Sequence, residues 1–129
     1  MRTFIYAIMV CATSTYCLSC GDMLNKKIKI SGNYYLLENE FRGGLSVYFR
    51  SSEGDFVERI PARVVEYGFD DNFIIAKCSV DDTIKIYIID RKKDSHFAEP
   101  VDYLTGPFNI SQYDSMDHSR NLRIKFNKI

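Results

Sequence analysis

From Ile28 onward, apolar and polar side chains alternate with a period near two in segment after segment, each rich in β-branched and aromatic residues and bounded by Gly, Asn or Asp. Such a pattern buries one face of a strand and wets the other, so it restricts the chain to folds built on sheets. Residues 34–38 and 45–50 flank a turn at Arg42, Gly43 and Gly44, which predicts a hairpin with Leu45, Val47 and Phe49 inward and Ser46, Tyr48 and Arg50 outward. Residues 62–67, 73–80 and 84–90 follow at close spacing and predict an antiparallel meander. The runs 73–80 and 84–89 are the most apolar and belong at the centre of the sheet, with Ile84, Ile86 and Ile88 on one dry face.

Near the C-terminus the period changes. Gly106 and Pro107 predict a turn, and Asn109 with Gln112 has the spacing of a capping box, with Phe108 and Tyr113 placed as its hydrophobic staple. Ile110, Tyr113 and Met116 fall on one side of a short helix over 110–119 that should lie across the sheet. Leu122, Ile124 and Phe126 alternate with polar residues and predict one more strand. The expected class is α+β, a mainly antiparallel sheet of about six to seven strands with one short C-terminal helix packed on it. Residues 28–129 make one domain, long enough to bury about two-thirds of its unfolded surface.

The first residues have a different logic. Met1, Arg2 and Thr3 form a short positive head, residues 4–10 are apolar, and Thr13, Ser14 and Thr15 close a polar tail. That is the layout of an export signal, and it is too short to cross the roughly 30 Å of a bilayer's hydrocarbon core. Leu18, Ser19 and Cys20, followed by Gly21 and Asp22, resemble the lipobox of bacterial lipoproteins, with Cys17 standing where that motif usually has Leu. The resemblance implies a signal peptide over 1–19, a lipid-modified Cys20 as first mature residue, and a tether over 20–27. Two or three acyl chains give stable anchoring where one does not. The protein is then expected outside the cytoplasm, held on a bacterial membrane through Cys20, at the outer membrane or cell surface.

Loss of residues 1–19 removes Arg2 alone among charged residues, so 17 basic against 17 acidic residues become 16 against 17. A near-neutral domain is a poor nucleic-acid partner, because phosphate neutralisation needs clustered Lys and Arg. Lys26 with Lys27, and Arg91 to Lys93, are short basic clusters that read as solvated element ends or as contacts to anionic lipid. Cys11 and Cys17 leave with the signal and Cys20 takes lipid, so Cys78 is the one thiol left and no internal disulfide framework is expected.

Four phrases resemble a family of small bacterial lipoproteins whose domain has no assigned function: residues 32–37 (GNYYLL), 71–77 (DNFIIAK), 87–90 (YIID) and 106–108 (GPF). Phe108 and Asn109 stand where that family has an aliphatic residue and Ser or Thr, and the polar stretch from Asp94 to Asp102 is unusually long. The resemblance implies the fold and the anchor, and brings no catalytic residue with it.

Reactive groups are scarce in the mature segment. His96, His118 and Cys78 are its only imidazoles and spare thiol. Zinc wants paired ligands at short spacing, and His96 with Glu99 is a lone couple. Cys78 alternates with Ile74, Ala76 and Val80, which reads as a buried strand position rather than a nucleophile. Asp70 with Asp71 and Asp81 with Asp82 sit where turns use Asp, and Asp114 with Asp117 lacks the longer ligand alternation of a calcium loop. No phosphate loop, dinucleotide fingerprint or serine-nucleophile motif occurs, so no catalytic constellation, metal or cofactor is assigned.

Tyr35, Tyr48 and Tyr103 are the candidate recognition residues, since Tyr offers a broad apolar face and a hydroxyl. The leading functional expectation is a binding or envelope-accessory module contacting an envelope protein or ligand. A tethered immunity protein against an envelope-delivered toxin, and a hydrolase with an unrecognised site, stay open beside it. Replacement Cys20→Ser should abolish fatty-acid labelling and release the protein from membranes; intact mass and labelling of both forms check this, and equal, unlabelled solubility of wild type and variant would contradict it.

Overall fold

The computed structural model describes residues 26–120 and 124–129. They form nine strands in two antiparallel sheets, with two helices. The first sheet has the order β1-β2-β3-β4, from β1 (Lys27–Ser31), β2 (Tyr34–Asn39), β3 (Gly44–Arg50) and β4 (Phe56–Glu58). The second has the order β8-β7-β6-β5-β9, from β5 (Arg63–Phe69), β6 (Phe73–Val80), β7 (Thr83–Asp90), β8 (Leu104–Phe108) and β9 (Asn127–Lys128). Helix α1 (Pro100–Tyr103) leads into β8, and α2 (Ile110–Arg120) follows it.

Two cores hold these parts. The larger lies between the sheets: Ile30, Tyr34, Leu36, Leu45 and Val47 from the first meet Val64, Ile74, Ala76, Cys78, Tyr87 and Ile89 from the second. The smaller lies on the other side of the second sheet, where Ile75, Ile86 and Ile88 receive Tyr113 of α2, with Phe73, Phe108, Met116, Ile124 and Phe126 around them. Strands β6 and β7 are therefore buried on both faces. Their pairing is continuous from Phe73 opposite Asp90 to Val80 opposite Thr83, and consecutive isoleucines such as Ile74 and Ile75 are each fully buried on opposite sides.

The expected β2–β3 hairpin and β5–β6–β7 meander are present. So is the cap of α2: Asn109 Oδ1 accepts from the Gln112 N–H at 2.8 Å, and Gln112 Oε1 accepts from the Asn109 N–H at 2.8 Å. Several details differ from the sequence reading. Gly106 and Pro107 lie inside β8 rather than in a turn, at the irregularity in its pairing with β7 and on an edge strand, where a residue without an N–H is tolerated. Ile84 and Ile110, expected on dry faces, are 36% and 54% exposed, because β7 and α2 begin beyond the ends of the smaller core. Ser46, expected in water, is fully buried; residues 59–62 cross that part of β3, and the Ser46 hydroxyl donates to the Ala62 carbonyl at 3.1 Å. At the C-terminus the strand is Asn127–Lys128, Ile124 and Phe126 pack under α2, and Leu122 lies outside the described residues.

Truncating either face of the central strand should be costly. Ile74→Ala, facing the first sheet, and Ile75→Ala, facing α2, should each lower unfolding stability by about 2–5 kcal/mol in urea titration. A cost under about 1 kcal/mol for Ile75→Ala would mean that the helix is not packed there.

Candidate functional site

The inward side of the first sheet is filled, so its chemistry is on the outward side. Register places Lys29, Tyr35, Tyr48 and Glu58 in one row across the four strands, because Lys29 pairs Tyr35, Tyr35 pairs Tyr48, and Tyr48 pairs Glu58. Neighbouring rows bring Lys27 opposite Leu37, and Arg50 opposite Phe56. The rings of Tyr35 and Phe56 meet edge to face with centroids 5.5 Å apart. The Lys27 ammonium lies 4.9 Å from the Tyr35 ring centre and 5.0 Å from that of Phe56, and the Arg50 guanidinium is 5.8 Å from Phe56. Lys27 and Arg50 are exposed, while Tyr35 and Phe56 are half-buried. The arrangement is two aromatic rings rimmed by two cations, worth about 0.5–1 kcal/mol per exposed cation–ring contact.

Beside it runs a polar chain. Asn39 Nδ2 donates to the Tyr48 hydroxyl at 2.9 Å and also to the Glu58 carboxylate, whose other oxygen pairs with Arg42 at 3.0 Å. Partial burial and the nearby Glu58 charge push the Tyr48 hydroxyl above its ordinary value, so it stays a neutral donor and acceptor. A ligand meeting this face finds ring faces, an ammonium, a guanidinium and a fixed phenol, which suits sugars, acidic peptides and other polar groups with an apolar side.

Tyr35 and Tyr48 are thus cross-strand neighbours on this face. Tyr103 is not with them. It is 3% exposed, its ring lies 4.8 Å from the Arg59 guanidinium, and its hydroxyl donates to the Arg59 carbonyl at 3.4 Å. The reading of Tyr103 as a surface residue is corrected: packing against a buried arginine takes it into the core. Cys20 lies outside the described residues. Phe56, Lys27 and Arg50 were not singled out from sequence; Phe56 sits in a three-residue strand whose register across β3 is the only signal for it.

A second cluster is buried at one end of the sandwich. Arg59 Nε and Asp94 Oδ2 are 3.3 Å apart, with side chains 4% and 0% exposed. The Tyr34 hydroxyl donates to Asp94 Oδ2 at 2.8 Å, and Arg59 donates to the Ser95 carbonyl at 2.6 Å. Arg59 also lies 5.2 Å from the Phe49 ring. Burial pushes the Asp94 carboxyl above its ordinary 3.8, against the opposing effects of the Tyr34 hydrogen bond and the Arg59 charge. Burial, then Asp94, push the Tyr34 hydroxyl far up. No substrate reaches side chains this enclosed, and the cluster acts as a clamp tying the 91–99 segment to the two sheets.

The remaining reactive groups are inert or dispersed. Cys78 is fully buried and its thiol is pushed up to about 12, so it carries no thiolate near neutrality. Asp70 Oδ1 accepts from the Asn72 and Phe73 N–H groups at 2.7 and 2.6 Å, and Asp81 and Asp82 take left-handed backbone in the β6–β7 turn. Among the described residues, no three His, Cys, Asp or Glu side chains come together as metal ligands, and no helix is long and apolar enough to cross a membrane. No family model, curated protein or solved structure matches the chain.

Removing one member of the buried pair strands the other. Asp94→Ala should cost about 3–5 kcal/mol in urea titration, while joint replacement of Arg59 and Asp94 by apolar residues of similar volume should recover most of it. The pH dependence has a definite sign. A carboxyl raised on folding contributes fully below its unfolded value and loses that contribution as pH rises through the folded value. Stability of the wild type relative to Asp94→Asn should therefore fall as pH climbs past 3.8; a difference that grows with pH would contradict the assignment.

Proposed function

We propose that the chain is a lipid-anchored, extracytoplasmic binding module, an accessory of the cell envelope, that recognises its partner through the outward face of the four-stranded sheet. The single observation that carries this reading is the unequal cover of the two sheets. Helix α2 lies over the outward side of the five-stranded sheet, whereas among the described residues no comparable element covers Lys27, Tyr35, Tyr48, Arg50 and Phe56.

Recognition by such a face is supported by its composition. Tyr and Arg are the residue types that dominate binding energy when desolvated, and the rings already sit in fixed mutual geometry, so little side-chain entropy is lost on contact. Hydrogen bonds from Asn39 to Tyr48 and Glu58 hold the row shared with Tyr35 still. The anchor at Cys20 is supported by the lipobox-like sequence and by the short tether, which keeps this face close to the lipid surface.

Full-length protein solubilised from membranes in detergent should recover a saturable partner. Phe56→Ala and Lys27→Glu should each weaken that recovery by about 2 kcal/mol or more, roughly thirtyfold in affinity, with unfolding little changed. Equal recovery by wild type and both variants, or repeated isolation of the protein alone, would overturn the assignment of this face.

A further inference from the structure

We propose that the end of the sandwich where β1 begins faces the lipid, with Phe41 seated in the membrane interface beside the anchor. This rests on the lipid-anchor reading above. Phe41 is 98% exposed, the most exposed large apolar residue described. It sits at the tip of the β2–β3 turn, held by its own N–H donating to Asn39 Oδ1 at 2.9 Å and by the Arg42 and Gly43 N–H groups donating to the Asn39 carbonyl at 3.1 Å. A rigid turn presenting a bare phenylalanine is a wedge, not a frayed loop.

Register fixes what shares that end. Lys27 pairs Leu37 near the top of β2, two residues before Asn39 pairs Gly44 at the hairpin's close. A groove of about 330 Å³ lined by Lys26, Gly43, Gly44, Arg63 and Ile129 joins the hairpin to the second sheet. Ile84, Ile110 and Ile129, which are 36%, 54% and 44% exposed, line the next groove along. Asp81 and Asp82 also lie at this end, so the contact is an apolar insertion flanked by Lys26 and Arg42, and not a flat basic patch.

Tether length decides between the two ends. A competing apolar tip exists at the far end, where Phe97 is 88% exposed in the segment clamped by Asp94. From Cys20 to Lys26 an extended chain reaches about 20 Å, whereas β6, with eight residues, spans about 23 Å at a strand's rise before the loop that carries Phe97 is added. The tether is too short to run back along the sandwich and bring Phe97 to the lipid. The near end needs no such detour.

The chain contains no Trp, so single reporters are available. Full-length, lipidated Phe41→Trp and Phe97→Trp proteins are placed in phosphatidylcholine vesicles with brominated acyl chains. The Phe41→Trp emission should shift to the blue and be quenched by the bromines, and the Phe97→Trp emission should show neither change. Vesicle-bound protein whose Phe41→Trp reporter is unquenched, or whose Phe97→Trp reporter is quenched instead, overturns the orientation and leaves the anchor standing. Wild-type protein that does not sediment with vesicles removes the anchor and this inference together.

Discussion

Burial of β6 and β7 on both faces is the constraint from which the rest of the architecture follows. A sheet whose central strands carry isoleucine at consecutive positions must be covered twice, and each isoleucine left in water would cost about 1.5–3 kcal/mol. The four-stranded sheet supplies one cover and α2 the other. The four-stranded sheet spends its apolar side on that task and keeps a second side that, away from the crossing of residues 59–62 over Ser46, no other element covers among the described residues. Its outward residues are free to be selected for what they touch.

The second fixed point is the buried Arg59 and Asp94 pair. Apolar packing alone would close the end of the sandwich, but it would not dictate where the long 91–99 segment lies. An ion pair with a Tyr34 hydroxyl and a Ser95 carbonyl does, because any other placement leaves a charge buried and alone. The cost is a carboxyl raised by burial. The benefit is a defined end from which β3 and β4 present Arg50, Phe56 and Glu58 in register.

Local patterns were readable and distant ones were not. Central strands, the β2–β3 hairpin and the Asn109–Gln112 cap each depend on residues within a few positions of one another, so composition and spacing expose them. The division into two sheets depends on where residues 59–62 cross, a fact carried by contacts such as Ser46 with Ala62. Tyr103 reads as a recognition residue because it is a tyrosine, and only its approach to Arg59 from 44 residues away explains its burial. Tyr48 was legible as an outward residue from the alternation along its own strand and Tyr35 as a candidate recognition residue, while Phe56 and Lys27 joined them only once register across the strands was known.

We propose that the outward face of the four-stranded sheet is what this protein offers to its surroundings. Oxidative footprinting of the full-length protein in intact cells against the detergent-purified protein tests it most directly. Occupation of the face in the envelope predicts protection of Tyr35, Tyr48 and Phe56 in cells, with buried Tyr103 unreactive in both. Equal oxidation of those three residues in cells and in detergent would contradict the account.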